Sequence, residues 1–230
     1  MKIAYAYESV RSRIDAAARR AGREPSSVML IGVTKTVPSE AIFEAVEAGL
    51  TDVGENRIQE AAAKIQVIGR PPRWHLVGHL QTNKVHRAVE LFDCIHSVDS
   101  EKMAELLNNN AAAKQRVLDV LIQVKVGGEP TKFGVEAGDV AALAMRMNAL
   151  DNLSLLGLMT LPPLFDDPEK TRPFFAELRL LRDRLNESGA GLTHLSMGMS
   201  HDFEVAVEEG ATMVRVGTAL FGARGQARPS

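Results

Sequence analysis

The chain alternates short aliphatic segments with helical segments from residue 28 almost to its end. Helical patterns such as EAIFEAVEAG and FFAELRLLRDRLNES lie between the aliphatic segments. Parallel neighbouring strands need a long return connection, which a helix supplies with right-handed geometry. The alternation therefore predicts a parallel sheet in which each strand is followed by a helix. Eight segments carry the strand pattern: 28–34, 52–55, 73–78, 94–98, 117–126, 153–160, 192–196 and 212–217.

Eight repeats favour a closed (β/α)8 barrel over an open, doubly wound sheet. An open sheet of this class more often has about five or six strands, whereas eight units in about 200 residues match the lower size range of the barrel. Residues 3–21 precede the repeats, with apolar side chains at helical spacing and Gly22 as a stop signal. We expect one α/β barrel domain over residues 1–230, with an extra amino-terminal helix.

Charge and cysteine content exclude several classes of protein. The formal net charge of −2 gives no global reason to expect nucleic acid or an anionic membrane as a partner. The single cysteine, Cys94, excludes an internal disulfide, agrees with a reducing compartment and is expected in the core. No stretch approaches the roughly 20 apolar residues that cross a bilayer, and the amino terminus lacks a secretory apolar core. We expect a cytoplasmic protein.

Lys35 ends the first predicted strand, just before a helix start at Pro38. Apolar surroundings at the end of a buried strand would disfavour the ammonium charge and make the amine nucleophilic. The alternative is that Lys35 ends an ordinary strand and extends its charge into solvent. This segment alone leaves both interpretations open. Chemistry in the barrel fold occurs where strands end and helices begin, which is where Lys35 lies.

Two late turns have the composition of phosphate-binding loops. Residues 196–202 (SMGMSHD) place hydroxyls and a glycine before a helix that is predicted to open near Ser200. Residues 214–222 do the same with Gly217 and Thr218. Backbone amides at helix starts attract anions, and the loops after strands seven and eight often hold phosphate in barrels. The alternative is helix capping by Ser200 and Thr218 without a ligand.

Closure of a barrel would place strand eight beside strand one. Lys35 and the two turns would then face one ligand, and a molecule with both an aldehyde and a phosphate would satisfy them all. Pyridoxal 5'-phosphate (PLP) is such a molecule. A sugar phosphate held as a Schiff base by an aldolase is the other candidate.

Three histidines and a second lysine are weaker candidates. His75 and His79 are four residues apart near a strand end, and His96 lies on the following strand. A strand followed by a turn does not guarantee that these rings converge on a metal. We therefore expect hydrogen-bonded pocket roles for them and no metal. Lys132 is a candidate second cofactor-handling lysine, with an exposed loop lysine as the alternative.

The order of the motifs resembles that of a known family. The chain contains, in order, VTKT, DVGENRIQE, WHLVGHLQTNK, HSVDS, GLMTLPP and LSMGMSHDFEVAVEEGATMVRVGTALFG. These blocks resemble, in order and spacing, the motifs of the pyridoxal phosphate homeostasis protein family, from the amino-terminal helix to Gly222. The resemblance implies a barrel like the amino-terminal domain of alanine racemase. It also implies that PLP is held as an internal aldimine of Lys35.

The matching motifs imply the other cofactor-binding residues. They are Asn56 and Met159 at the ring pocket, Arg215 at the pyridine nitrogen, and Ser196, Ser200, Gly217 and Thr218 at the phosphate. The segment that the family usually writes with glycine, proline, leucine and glutamine contains His79 in place of proline here. The role of His79 is therefore left open.

An arginine at the pyridine nitrogen would weaken the cofactor as an electron sink. Enzymes that exploit the sink place a carboxylate there, which keeps the nitrogen protonated, whereas the guanidinium of Arg215 would keep it unprotonated. The alternative for Arg215 is an ion pair across the barrel. Two-base racemisation also needs a second proton carrier, which in alanine racemase is a tyrosine from the partner subunit. The tyrosines of this chain, Tyr5 and Tyr7, lie in the predicted amino-terminal helix, and we expect no second domain that would complete the site.

The function expected from the sequence is a monomeric PLP-binding protein that stores, buffers or delivers the cofactor, in transient contact with PLP-dependent apo-enzymes. Robust turnover is not expected. Two enzyme alternatives stay open. One is a fold-type III PLP-dependent racemase or related amino-acid enzyme that uses Lys35 with a histidine or water, and the other is the barrel aldolase.

Overall fold

Eight parallel strands close into a barrel in the order in which they occur along the chain. The computed structural model describes residues 2–70, 72–127 and 133–222. The strands are β1 (Met29–Val33), β2 (Asp52–Glu55), β3 (Arg73–Leu76), β4 (Cys94–Val98), β5 (Leu118–Gln123), β6 (Leu153–Met159), β7 (His194–Met199) and β8 (Met213–Val216). The predicted (β/α)8 barrel is confirmed.

The predicted amino-terminal helix is also confirmed, and it buries Val10 and Ile14 at the spacing that the sequence showed. No helix in the described part of the chain is both long and apolar enough to cross a membrane. Helix α1 (Lys2–Arg20) precedes β1, and the strands are followed in turn by α2 (Ser39–Glu47), α3 (Ile58–Ile68), α4 (Val85–Leu91), α5 (Glu101–Ala113), α6 (Val140–Asn148), α7 (Arg172–Glu187), α8 (Phe203–Glu208) and α9 (Thr218–Phe221).

The barrel closes through parallel pairing of β1 with β8. Ile31 lies opposite Arg215 in this pair, and Gly32 lies opposite Val216. Because the strands are parallel, their carboxyl ends meet at one end of the barrel. The turn that follows β1 therefore lies beside the turn that follows β8.

Strand residues alternate between the barrel interior and the layer under the helices, as the period of two requires. The outward-facing aliphatic side chains form one large core with the helices. The interior holds a small separate apolar cluster, made of Ile31, Cys94, Leu121, Met159 and Met213. Cys94 is buried and unpaired, which confirms its expected place in the core.

Strand β7 runs further than the sequence predicted. The prediction ended this strand at residue 196, but β7 continues to Met199. Its register with β8 shifts after Ser196, and Gly198 adopts a φ of +90°, where a Cβ would lie 2.5 Å from a side chain of α8. Glycine permits this conformation and this close approach. As a consequence Ser196 is a buried strand residue, and the turn begins at Ser200.

Helix α3 holds the turn that carries Lys35. The ammonium nitrogen of Lys64 donates to the carbonyl oxygen of Thr34 at 2.6 Å. Glu60 Oε2 accepts from the backbone amide of Thr36 at 3.2 Å. Thr36 has a φ of +62°, which is uncommon for a β-branched residue. The backbone is thus fixed on both sides of Lys35.

The same lysine forms a buried ion pair. Lys64 Nζ lies 2.5 Å from Glu55 Oε1, and the two side chains are 11% and 0% exposed. Thr34 Oγ1 also donates to Glu55 Oε1 at 2.6 Å. The other carboxylate oxygen of Glu55 has no hydrogen-bond partner in the described part of the chain. Lys64 is therefore the cation that compensates a buried carboxylate.

We expect Lys64→Met to destabilise the fold strongly. Removal of one partner of a buried ion pair leaves an uncompensated charge, so the free energy of unfolding should fall by about 3–5 kcal/mol. The control is Arg146→Met, because Arg146 and Glu101 are also 2.5 Å apart but are 62% and 51% exposed. The control should lose about 0–1 kcal/mol. Urea unfolding followed by circular dichroism measures both, and equal losses would contradict the assigned role of Lys64.

Candidate functional site

An open cleft of about 1860 Å³ lies at the carboxyl ends of the strands. Ligand-binding pockets usually measure about 300–1,000 Å³, so a small molecule would occupy part of it. The cleft receives side chains from the ends of β1, β2, β7 and β8 and from α1. Six of the eight residues predicted to bind the cofactor line it: Lys35, Asn56, Ser200, Arg215, Gly217 and Thr218.

Lys35 reaches the cleft because of the alternation along β1. Ile31 belongs to the interior cluster, and Val33, two residues later, lines the cleft. Lys35 is the next residue on the same face and is half-buried there. The strand and the contacts of α3 described above therefore fix the backbone that presents Lys35 to the cleft.

Ser200 connects the two turns that were predicted to bind phosphate. Its Oγ accepts from the backbone amide of Gly217 at 3.0 Å and from that of Ala219 at 3.3 Å. These amides belong to the turn after β8 and not to α8, so Ser200 does not cap the helix that follows it. The predicted alternative of capping by Thr218 also has no side-chain hydrogen bond to support it at the start of α9. Thr218 is exposed to the cleft.

Asp202 stabilises the turn after β7 through a hydrogen bond to its backbone. Its Oδ1 accepts from the backbone amide of Met199 at 2.6 Å, and the side chain is buried. Burial raises the pKa of Asp202, while the bond from Met199 and the charge of Arg215 act in the opposite direction. This carboxylate lines the cleft, as does Arg215.

Arg215 is a buried cation that lines the cleft. It is 3% exposed, and burial lowers its pKa to about 10, although the charge of Asp202 opposes this change. Its guanidinium donates to Ser196 Oγ and, at 2.7 Å, to the carbonyl oxygen of Thr160. Both of these partners are uncharged. The ion pair considered from the sequence is therefore not the contact that fixes Arg215.

Met159 and Ser196 are not among the described residues that line the cleft, and their predicted contacts with the ring and the phosphate stay predictions. Both are fully buried inside the barrel. Met159 faces the interior cluster from the last position of β6. The hydroxyl of Ser196 is already bonded to Arg215 and to His96. Ser196 is a strand residue of β7 whose side chain faces the barrel interior.

Other residues line the cleft that were not predicted from the sequence. Asp202 lies in the SMGMSHD segment. An aspartate just before a helix often accepts a hydrogen bond from a nearby backbone amide, and this pattern could have indicated its structural role. Val33 could have been found from the strand period of two, counted back from Lys35. His201 is exposed, and its Nε2 lies 2.9 Å from the carbonyl oxygen of Asp166. No signal in the sequence places Leu164 in the cleft.

The three candidate histidines do not converge. His75 and His96 are fully buried and lie 2.9 Å apart between His75 Nδ1 and His96 Nε2. His79 instead stacks on Phe133, with ring centroids 3.7 Å apart, and its side chain is 32% exposed. Lys132, the second lysine candidate, lies outside the described residues.

The sequence matches a family and proteins of known name. The family model for the alanine racemase N-terminal domain matches residues 6–225. The pyridoxal phosphate homeostasis protein of Aquifex aeolicus (strain VF5) is 48% identical over 217 residues, which are 94% of this chain and 95% of that protein. The protein of the same name from Pseudomonas aeruginosa is 45% identical over 222 residues, 96% of this chain and 95% of that one.

Solved structures show the same fold. PipY of Synechococcus elongatus PCC7942, with PLP bound, superimposes with a TM-score of 0.86 at 41% identity, covering 96% of this chain and 100% of PipY. Alanine racemase of Clostridium difficile 630 superimposes with a TM-score of 0.73 at 17% identity, over 94% of this chain and 56% of the racemase. The second likeness concerns the fold alone. The chain belongs to the alanine racemase N-terminal domain family and, within it, to the pyridoxal phosphate homeostasis proteins.

Proposed function

We propose that this protein binds PLP through Lys35 and acts in PLP homeostasis as a carrier of the cofactor, without robust turnover. One observation supports this most strongly. The cleft brings together an amine, a buried guanidinium and two turns joined by Ser200. A relative of 41% identity has been solved with PLP bound.

The groups that line the cleft fit the chemistry of PLP. The Lys35 amine would hold the aldehyde carbon covalently, with loss of one water. The hydroxyls of Ser200 and Thr218 would hold the phosphate, and Asn56 would lie at the ring. Arg215 would face the pyridine nitrogen. When bound, the cofactor supplies an electron-withdrawing ring conjugated to the carbon that reacts with amines.

Arg215 supports the proposal of a carrier over that of an efficient enzyme. With a pKa of about 10, its guanidinium stays charged at neutral pH. A cation beside the ring nitrogen disfavours protonation of that nitrogen, which weakens electron withdrawal by the ring.

The positions of the tyrosines support it too. Tyr7 donates to the carbonyl oxygen of Gly49 at 3.1 Å, and Tyr5 is 79% exposed. Neither is among the described residues that line the cleft. Neither tyrosine of this chain is therefore placed to act as a second base at the cleft.

A racemase or related amino-acid enzyme is the alternative, and one observation favours it. His201 is exposed and lines the same cleft as Lys35, and an imidazole is the side chain that most often serves as a general acid or base. A lysine and a histidine in one cleft could together remove a proton from an amino acid and return it.

We infer further that the protein works as a monomer in the cytoplasm and passes PLP to apo-enzymes by transient contact. The cytoplasmic location is supported by a cysteine that is buried and unpaired.

We expect PLP to attach to Lys35. Borohydride reduction of the loaded protein should abolish its yellow colour and leave one phosphopyridoxyl group on the peptide that contains Lys35, as measured by mass spectrometry. Lys35→Ala should form no such adduct. The control Lys102→Ala, which removes an exposed lysine of α5, should react like the wild type. An adduct on Lys2, the other described lysine that lines the cleft, would contradict the assignment.

We expect little or no exchange of the α-hydrogen of amino acids in deuterated water. The measurement is proton NMR of an amino-acid mixture incubated with the loaded wild type and with Lys35→Ala. The two rates should agree, because the weak electron sink and the missing second base oppose carbanion formation. Exchange that requires Lys35 and is lost in His201→Ala would establish the enzyme alternative.

We expect the loaded protein to activate a PLP-dependent apo-enzyme faster than its own release of free PLP allows. Contact transfer makes the rate depend on the concentration of the carrier, whereas release does not. Stopped-flow activation measured at increasing carrier concentration distinguishes them. A rate that saturates at the release rate would argue for release into solution.

A further inference from the structure

The barrel interior contains a row of polar side chains beside its apolar cluster. Interiors of such barrels are usually filled by branched apolar residues. A buried polar group is unfavourable unless it is hydrogen-bonded, so each member of this row needs a partner. We call the row the interior hydrogen-bond chain. Its members are Asp52 on β2, His75 on β3, His96 on β4, Ser196 on β7 and Arg215 on β8, all at most 4% exposed.

Hydrogen bonds join each member to the next. Arg215 Nη1 donates to Ser196 Oγ, and Ser196 Oγ lies 2.9 Å from His96 Nδ1. His96 Nε2 lies 2.9 Å from His75 Nδ1, and His75 Nε2 lies 2.9 Å from Asp52 Oδ1. Strands β4 and β7 are not neighbours. The contact between His96 and Ser196 therefore crosses the interior.

The donor of every bond follows from the two ends of the chain, because Arg215 can only donate and the carboxylate of Asp52 can only accept. A guanidinium donates and cannot accept, so Ser196 Oγ accepts from Arg215 and its own proton is available to His96 Nδ1. A neutral His96 then carries its proton on Nε2 and donates to His75 Nδ1. His75 carries its proton on Nε2 in turn and donates to Asp52. In all four hydrogen bonds, the donor lies on the side of Arg215 and the acceptor on the side of Asp52.

The charges at the two ends agree with this direction. Burial lowers the pKa of His96 well below its ordinary value, and His75 and Arg215 add to the effect, so the ring is neutral. Burial opposes ionisation of Asp52, but hydrogen bonds from His75 and Thr51 lower its pKa on balance. The chain thus runs from a cation at the cleft to an anion at the start of β2.

We propose that Asp52, His75, His96 and Ser196 are positioning residues whose aligned hydrogen bonds fix one nitrogen of Arg215 and leave its other N–H groups free to face the cleft. Thr160 fixes the second terminal nitrogen from a backbone carbonyl. This inference rests on the proposed function insofar as Arg215 faces the ring of PLP. The proton positions that it assigns do not depend on the cofactor.

A metal ion is the competing use of these side chains. Ligand atoms of His75, Cys94 and His96 all lie within 4.8 Å of one another. A metal bound to both rings would compete with the hydrogen bond between them. Burial also raises the pKa of the Cys94 thiol well above its ordinary value, which opposes the thiolate form that binds metals. The geometry favours the hydrogen-bond chain.

The proton positions can be measured in the protein without PLP. Histidine labelled with 15N distinguishes protonated from unprotonated ring nitrogens by NMR, and single histidine variants assign the signals. At neutral pH, His75 and His96 should both be protonated on Nε2 and unprotonated on Nδ1. A proton on Nδ1 of His96, or stoichiometric zinc by elemental analysis, would overturn the proposal.

Ser196→Ala tests the positioning of Arg215. In the variant, His96 should no longer be fixed in the tautomer with its proton on Nε2. Binding of PLP should weaken about tenfold, as loss of one charged hydrogen bond predicts. The absorption maximum of the loaded protein should also shift. Ser196→Thr keeps the hydroxyl and should restore all three. The matched control is Ser97→Ala, because Ser97 is equally buried on β4 but its hydroxyl has no hydrogen-bond partner in the described part of the chain. That control should match the wild type.

The outcomes separate the two proposals. Ser196→Ala that behaves like Ser97→Ala would overturn the positioning role. A wild type that binds no PLP would defeat the proposed function, while the tautomers would still decide the interior hydrogen-bond chain. If Ser196→Ala does not fold, as judged by circular dichroism, the tautomers of the wild type decide alone.

Discussion

The pairing of β1 with β8 is the contact on which the rest of this structure depends. It closes the barrel and places the turn that carries Lys35 beside the turns that carry Ser200 and Gly217. In an open sheet the first and last strands would have no such contact. Because backbone hydrogen bonds make this closure, the side chains at the strand ends are left for binding.

The two principal charged groups of the cleft are positioned from opposite sides of the barrel wall. Lys35 is held from the helix layer, where Lys64 and Glu60 of α3 bond the backbone on either side of it. Arg215 is held from the interior, through Ser196 and the chain that ends at Asp52. A buried charge needs compensation wherever it lies. The contacts of α3 fix the backbone on either side of Lys35, whereas those of the interior bond the guanidinium of Arg215 itself.

Membership of the family and likeness to alanine racemase describe different levels of similarity. The homeostasis proteins resemble this chain over nearly its whole length, whereas the racemase shares the barrel at 17% identity. A fold does not specify a reaction, and function depends on the residues of the site. In this site Arg215 lines the cleft, whereas Tyr5 and Tyr7 are not among its described lining residues, and both observations support the proposal of a cofactor carrier.

The sequence by itself determined the barrel, the order of its strands, the extra helix and six residues of the cleft, Lys35 among them. These follow from local periodicity and from the rule that parallel strands end on one face. Only the tertiary structure decided that Ser196 is turned inward and that His96 meets it, although the two are 100 positions apart. A period of two shows which face a side chain is on, but the register and the irregularity after Ser196 decide which residue it meets across the barrel.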